Sequence, residues 1–323
     1  VRGARQSARE DKSPEPEAVQ VSASANDQVE RRIVVFDKAT SRSHRLSSIR
    51  NLGGTPTADL WLINAVAVMS PKSAIRPMDA RLAAVQGVLR IEKDYVQNWL
   101  VGAPVVALPP AVRAPMPAAT ADQPEQQGQA TPWGIDRVNA KKAWETTRGA
   151  GAKVAVVDTG VDFDHPDLKV AGGFNTIDPA KSFKDDNGHG SHVAGSIAAQ
   201  DNDQGVVGVA PDCTLYGVKV LSAEGGGTFE DVIEGIQWAV ENRMDIANFS
   251  LGASQGTQAL QDAVKAAAAA GVAIIAAAGN SGRAVGFPAA YPETIAVAAS
   301  DASDKVAYFS SRGPEVDIIA PGV

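Results

Sequence analysis

Ala152-Lys153-Val154-Ala155-Val156-Val157-Asp158-Thr159-Gly160 places an unbroken apolar run between a lysine and an aspartate. A strand exposed on one face alternates polar and apolar residues; a strand buried on both faces does not. The run therefore predicts a strand over 152–157 inside a sheet covered on both sides, with Asp158 at its carboxyl end. Working outward, similar apolar runs recur at Leu215–Leu221, Ile246–Phe249, Val272–Ala277 and Ile295–Ala299. Helical patterns lie between them at Val193–Ala199, Phe229–Glu241 and Leu260–Ala270, and a short helix is expected at Asn139–Thr146. Strands alternating with helices predict an α/β fold, a mostly parallel sheet with helices on both faces, over residues 131–323. In such sheets ligands gather beyond the carboxyl ends of the strands.

Toward the N-terminus the pattern changes. Ile33–Phe36 reads as a strand, Ser41–Leu52 as a helix, Leu60–Met69 as one strand or two, Met78–Gln86 as a helix and Val88–Lys93 as a strand. That β-α-β-β-α-β order predicts a small ferredoxin-like α+β domain over residues 30–100, with both helices on one face of an antiparallel sheet. At about 70 residues such a domain is only marginally able to fold alone. Residues 1–29 are charged and poor in large apolar side chains, the composition of a disordered leader. Residues 101–130 are rich in Pro, Ala and Gln and read as a linker open to proteolysis.

Composition narrows the function. A formal net charge of -7 over 323 residues argues against nucleic acid or an anionic membrane as the main partner. No apolar run is long enough to span a bilayer. Cys213 stands alone, which rules out an internal disulfide and a cysteine-rich metal site; its neighbours suggest a buried, small apolar role.

Three groups fall at strand or helix ends. Asp158 follows its strand, His189 sits between Gly188 and Gly190 at the start of a helical pattern, and Asn280 follows Ala277-Ala278-Gly279. Nucleotide-binding and phosphoacceptor proteins also place an aspartate at a strand end, yet no GxGxxG or Walker loop accompanies this one. Aspartate, histidine and an amide donor together suit acyl transfer. The carboxylate fixes the imidazole tautomer, the imidazole moves a proton, and the amide stabilises an oxyanion. The nucleophile is the member not found.

The segments AVVDTGVDFDHPDL, NGHGSHVAGSIAA, GVAPDCTLYGVKVL, ANFSLG, AAAGNSG and YFSSRGPEVDIIAPGV, in this order, resemble the catalytic domain of subtilisin-like serine proteases from about Gln129 onward. LINAVAV and VLRIEKDYV resemble the inhibitory, chaperoning propeptide of the same family. The resemblance implies Asp158 as the group orienting the imidazole, His189 as general base then acid, and Asn280 as oxyanion donor. It implies Ser250-Leu251-Gly252 and Ala277-Ala278-Gly279 as the two walls of the pocket for the residue before the scissile bond. Gly225, Gly226 and Gly227, after Glu224, become an edge that pairs with substrate backbone, and Phe229 the border of a more distal apolar pocket. Glu224 is the only acid in these stretches, which gives no support to a strict preference for basic residues.

It also implies a structural calcium ion, with side-chain oxygens from Gln129, Asn202 and Asp167 and carbonyls of Gln200, Gln204 and Val206. By itself Asp-Asn-Asp-Gln-Gly (201–205) would read as a polar turn. The expected partners are polypeptide substrates and the chain's own propeptide; secretion and a monomeric state come with the family. The family's nucleophilic serine lies in a Gly-Thr-Ser motif, which residues 1–323 do not contain. By the family pattern they end roughly twenty residues before it. Ser310 and Ser311 match a structural stretch instead, and Ser250 a pocket position. A serine endopeptidase lacking its C-terminal part, and a non-catalytic relative or propeptide-type inhibitor that binds peptides or proteases, are thus both consistent with these residues.

Overall fold

The computed structural model describes residues 29–100 and 128–323. The expected leader and most of the expected linker lie outside them. Residues 29–94 form β1 (Val29–Phe36), α1 (Arg42–Asn51), β2 (Thr55–Leu60), β3 (Ala65–Pro71), α2 (Ile75–Leu82) and β4 (Val88–Asp94). The sheet order is β2-β3-β1-β4 with every pairing antiparallel, the ferredoxin-like arrangement expected from the element order. The expected strand at 60–69 proves to be two, divided by a single turn at Trp61–Ile63 that ends on Asn64 in the left-handed region. The second helix begins earlier than its pattern suggests, at Ile75, because Pro77 falls in the first turn, where its missing N–H costs nothing. It also ends earlier, at Leu82.

The larger sheet comprises β6 (Lys153–Asp158), β7 (Val170–Asn175), β8 (Thr214–Lys219), β10 (Ile246–Phe249), β11 (Ala273–Ala277), β12 (Thr294–Ser300) and β13 (Ile318–Pro321). Their order is β13-β12-β11-β10-β6-β8-β7 and all pairs are parallel. The sequence pattern missed β7 and β13, the two edge strands. β7 is Val-Ala-Gly-Gly-Phe-Asn, whose glycines break any apolar period, and β13 leaves Ile318 and Ile319 exposed. The expected helix at 139–146 is instead α3 (Trp133–Arg137) and α4 (Ala140–Ala143), parted where Asn139 takes a positive φ of 56°.

Alternation along β6 divides the core. Ala155 and Val157 face a cluster built with α6 (Phe229–Glu241) and α7 (Gln258–Ala269), whereas Val156 faces one built with α5 (His189–Ala198). Both faces are thus covered, as the apolar run at 154–157 requires. Cys213 packs beside the second cluster but is only half-buried, and burial pushes its thiol pKa up, away from thiolate chemistry. Beside α5 lies a largely apolar trough of about 800 Å³, lined by Trp133, Val138, His192, Gly195, Val209 and Val323 among others.

The small sheet also has two covered faces. Val34, Phe36, Val66 and Val68 pack under α1 and α2, while Ile33, Val35, Ala65 and Ala67 join the cluster containing α6 and α7. The helices of the large domain therefore cover the second face of the small one, a layer the sequence reading did not supply. Polar contacts reinforce the seam. Gln237 of α6 accepts from the Leu62 N–H and donates to the Asp59 carbonyl. Asp94 accepts the Glu230 N–H at the start of α6, and Glu92 accepts the Ala259 N–H at the start of α7. Carboxylates at helix N-termini gain from the helix dipole as well as the hydrogen bond.

Candidate active site

Asp158 ends β6 with its side chain fully buried, and His189 opens α5. The Asp158 Oδ1 lies 2.7 Å from His189 Nδ1 and also accepts the Thr159 N–H at 2.7 Å. A carboxylate can only accept, so Nδ1 carries the proton and Nε2 is left as the basic nitrogen. The hydrogen bond to Asp158 raises the His189 pKa; burial opposes this, and the charges of Asp158 and Asp185 add to the rise. The stabilisation of protonated His189 is complete below its ordinary pKa of about 6.5 and is lost as pH climbs through the raised value. Asp158→Asn should therefore lower the imidazole pKa, by about one pH unit or more, in an NMR titration.

The local sequence explains the approach. A Cβ on Gly190 would stand 2.0 Å from the Gly160 carbonyl, so only glycine lets the first turn of α5 press against the end of β6. The Thr159 hydroxyl then accepts the Gly190 N–H at 2.9 Å and locks that contact. Lys219, buried at the end of β8, donates to the carbonyls of Thr159 and Leu221 and to Asp186, all within 2.8 Å. A lone lysine in Gly217-Val218-Lys219-Val220-Leu221 was the sequence signal for this buried cation, and it went unread.

Register locates the strand that leads to the third group. Asp158 on β6, Ser250 just past β10 and Ala277 on β11 continue one level across neighbouring parallel strands. Asn280 lies three residues further on, exposed, about two strand spacings or ~10 Å along the sheet from Asp158's strand. Ala278 is buried and hydrogen-bonded to Val297, and Gly279 accepts the Ser311 N–H. Ser311 is itself buried beside Ser281, the Ser310 hydroxyl accepts the Ala299 N–H, and the Ser250 hydroxyl accepts from Asn248. No described serine hydroxyl is hydrogen-bonded to His189.

The expected substrate edge is occupied. Gln97 and Asn98 form β5, antiparallel to β9 (Gly226–Gly227), with Gln97 opposite Gly227 and Asn98 opposite Gly226. The Trp99 N–H donates to Gly225, and the Gly252 N–H donates to Trp99, both at 2.9 Å. The extended tail at Tyr95–Leu100 is thus held between Gly225–Gly227 and Gly252. The indole of Trp99 is buried; it donates to the Gly227 carbonyl at 3.0 Å and meets Phe229 edge-on with centroids 5.1 Å apart. Leu251 is buried as well. Trp99 was not singled out from the sequence, because nothing local announces that an aromatic side chain will be inserted 128 residues away.

Of the residues expected around calcium, hydrogen bonds join Gln129, Asp167, Gln200 and Val206. Gln129 reaches both the Gln200 and Val206 carbonyls, the latter at 2.9 Å, and Asp167 accepts the Val206 N–H. Asp167 is buried with Oδ1 lacking any hydrogen-bond partner, and a Cβ on Gly205 would meet its Oδ2 at 2.6 Å. The Asn202 Oδ1 accepts the Gln204 N–H. Hard oxygen donors around one orphaned carboxylate oxygen fit a calcium ion; turning the Gln129 amide by half a turn adds its oxygen. Among the described residues no three His, Cys, Asp or Glu side chains converge on a metal position, so this set relies on amide and carbonyl oxygens around the one carboxylate. The end of the expected linker, 128–130, belongs to this region: Ala130 pairs with Val206.

The sequence model of the subtilase family matches residues 149–323. The thermostable alkaline protease of Halalkalibacterium halodurans is 49% identical over 197 residues, 60% of this chain and 54% of that protein. Subtilisin E of Bacillus subtilis is 45% identical over 206 residues, 61% of this chain and 54% of that protein. Subtilisin J of Geobacillus stearothermophilus is 35% identical over 315 residues, 94% of this chain and 74% of that protein. The match thus spans about half the length of the first two relatives.

Proposed function

The chain belongs to the subtilase family, and from that premise we propose that it is a serine endopeptidase made as a zymogen. The observation carrying the reading is the 2.7 Å Asp158–His189 hydrogen bond, which leaves Nε2 free to take a proton at the carboxyl end of a parallel sheet. In the proposed reaction substrate backbone pairs with Gly225–Gly227 and Gly252, where Tyr95–Leu100 now lies. His189 Nε2 takes the serine proton as Oγ attacks the scissile carbonyl, then returns it to the leaving amine. Asp158 holds the tautomer and stabilises the imidazolium; the Asn280 amide donates to the oxyanion. Ser250, Leu251, Gly252, Ala277, Ala278 and Gly279 wall the pocket before the scissile bond, and Phe229 borders the next apolar one. Residues 30–100 act as the propeptide, blocking the cleft with their own tail until cleavage near Leu100 or within residues 101–130. Export from the cell and a monomeric state go with this reading.

The nucleophile belongs to a Gly-Thr-Ser motif, and the test is the coding sequence after Val323. A Gly-Thr-Ser-x-Ala stretch there, with peptide hydrolysis that His189→Ala abolishes, supports the protease. A stop codon at that point, with tight peptide or protease binding and no hydrolysis, supports the second reading, a non-catalytic relative or propeptide-type inhibitor.

We assign calcium to Gln129, Asp167, Gln200, Asn202, Gln204 and Val206, as a structural ion that takes no part in the reaction. Calcium at about a hundred times its dissociation constant should stabilise the fold by about 2.7 kcal/mol. That is a rise of several degrees in Tm, about 2–4 °C per kcal/mol for a domain of this size. Asp167→Asn should remove most of the rise, and a Tm indifferent to calcium and chelator would exclude the site.

A further inference from the structure

We propose that Asp185 is a positioning residue for the Asp158–His189 pair: its carboxylate folds the turn that delivers His189 and sets a second negative charge beside the imidazole. The inference rests on His189 being the proton carrier. Asp185 Oδ1 accepts from the Thr159 hydroxyl at 2.9 Å and from the N–H groups of Asn187 and Gly188 at 3.0 Å. Its Oδ2 accepts from the Ser191 N–H at 2.9 Å and the Ser191 hydroxyl at 2.6 Å. One half-buried carboxylate thus takes five hydrogen bonds. They come from the residue after Asp158, from the turn before His189, and from the first turn of α5.

The connection is short on both sides. Thr159 follows Asp158 directly, and its hydroxyl both donates to Asp185 and accepts from Gly190, the residue after His189. Asp185 therefore spans the two elements whose meeting creates the 2.7 Å hydrogen bond, without touching the imidazole itself. Burial would push its pKa up, but the hydrogen bonds from Ser191, Gly188 and Asn187 prevail and hold it below the ordinary carboxylate range, so it stays ionised where His189 titrates. Among the other charged groups around the histidine, Lys219 is matched by Asp186 at 2.6 Å, and Lys184 by Asp162 and Asp164. Those pairs largely offset one another, whereas Asp158 and Asp185 are the carboxylates whose charge reaches the ring.

The test is an NMR titration of the full chain, following the imidazoles of His44, His165, His189 and His192, with His189 assigned through Asp158→Asn. Asp185→Asn should lower the His189 midpoint by about 0.5–1 pH unit, and Asp185→Glu, which keeps the charge, should recover most of it. A midpoint in Asp185→Asn unchanged within about 0.2 pH unit, while Asp158→Asn moves it, overturns the inference and leaves the proposed protease chemistry standing. If Asp158→Asn also leaves the midpoint unmoved, the Asp–His pairing fails, and the inference with it. Should Asp185→Asn not fold, the parent chain suffices. Coupling is reciprocal, so the Asp185 carboxyl carbon should show an inflection at the His189 midpoint, and its absence is the overturning result.

Discussion

Replacing Trp99 by alanine is expected to free the tail Tyr95–Leu100 from the cleft, weakening its docking by roughly two to four orders of magnitude. Emptying a site that buries a whole indole costs about 3–5 kcal/mol, and this side chain is 1% exposed. It fills the space beside Phe229 and also forfeits the hydrogen bond to the Gly227 carbonyl. Hydrogen exchange offers a direct readout, since the N–H groups of Trp99 and Gly252 are protected only by the docked tail. Both should exchange far faster in Trp99→Ala, while amides of β6 and β10 stay protected. Unchanged protection at Gly252 would mean that the indole does not anchor the tail. Trp99→Phe should lie between, keeping the edge-on aromatic contact and losing the indole donor.

The second large effect is a loosening of the seam between the two domains as pH rises. Arg31 of β1 lies between Asp94 of β4, at 3.0 Å, and Glu230 of α6, while Asp231 and Glu234 of α6 and Thr57 of β2 complete the surroundings. Burial outweighs the attraction of Arg31 and raises Glu230 to about 7; burial and the neighbouring Glu230 raise Glu234 to about 8. Asp94 and Asp231 are raised by burial as well. Separated domains return these groups to water and to their ordinary values, 4.5 for the glutamates and 3.8 for the aspartates. Docking therefore binds protons: it is strongest below about pH 4.5 and weakens as pH climbs through about 7 to 8. For Glu230 alone the loss is on the order of 3 kcal/mol.

Exchange of the seam amides Leu62 and Glu230, followed from pH 5 to 9 after correction for intrinsic rates, should show protection falling with pH. Arg31→Met leaves the carboxylates without their cation and should cost about 3–5 kcal/mol at pH 8 but much less at pH 5, where protonation removes the repulsion. Protection that is flat across the range, or equal losses at both pH values, would rule this account out. In the proposed zymogen this amounts to a propeptide held more firmly in acid than in base.

The parallel sheet was legible in the unbroken run Val154–Val157 and its repeats, because burial on both faces removes the polar half of the alternation. Asp158 and His189 were legible for a related reason: each follows or opens an element whose pattern is strong, so the end of the pattern locates the side chain. β7 and β13 were not, since edge strands carry exposed or glycine positions that resemble loop. In the small domain Ile33-Val34-Val35-Phe36 already carried the mark of two covered faces, but only one cover, α1 with α2, could be found nearby in sequence.

The sequence by itself determined the α/β class, the β-α-β-β-α-β order of the small domain and the places of Asp158 at a strand end and His189 at a helix start, because local periodicity and element ends are written in neighbouring residues. Only the tertiary structure decided that α6 and α7 cover the second face of the small sheet, that Trp99 fills the space beside Phe229, that Arg31 meets Glu230, and that Asp185 ties β6 to α5. Each of these joins residues far apart in sequence or commits a side chain in an ordinary turn, and the contacts depend on how the chain packs rather than on the pattern either partner carries.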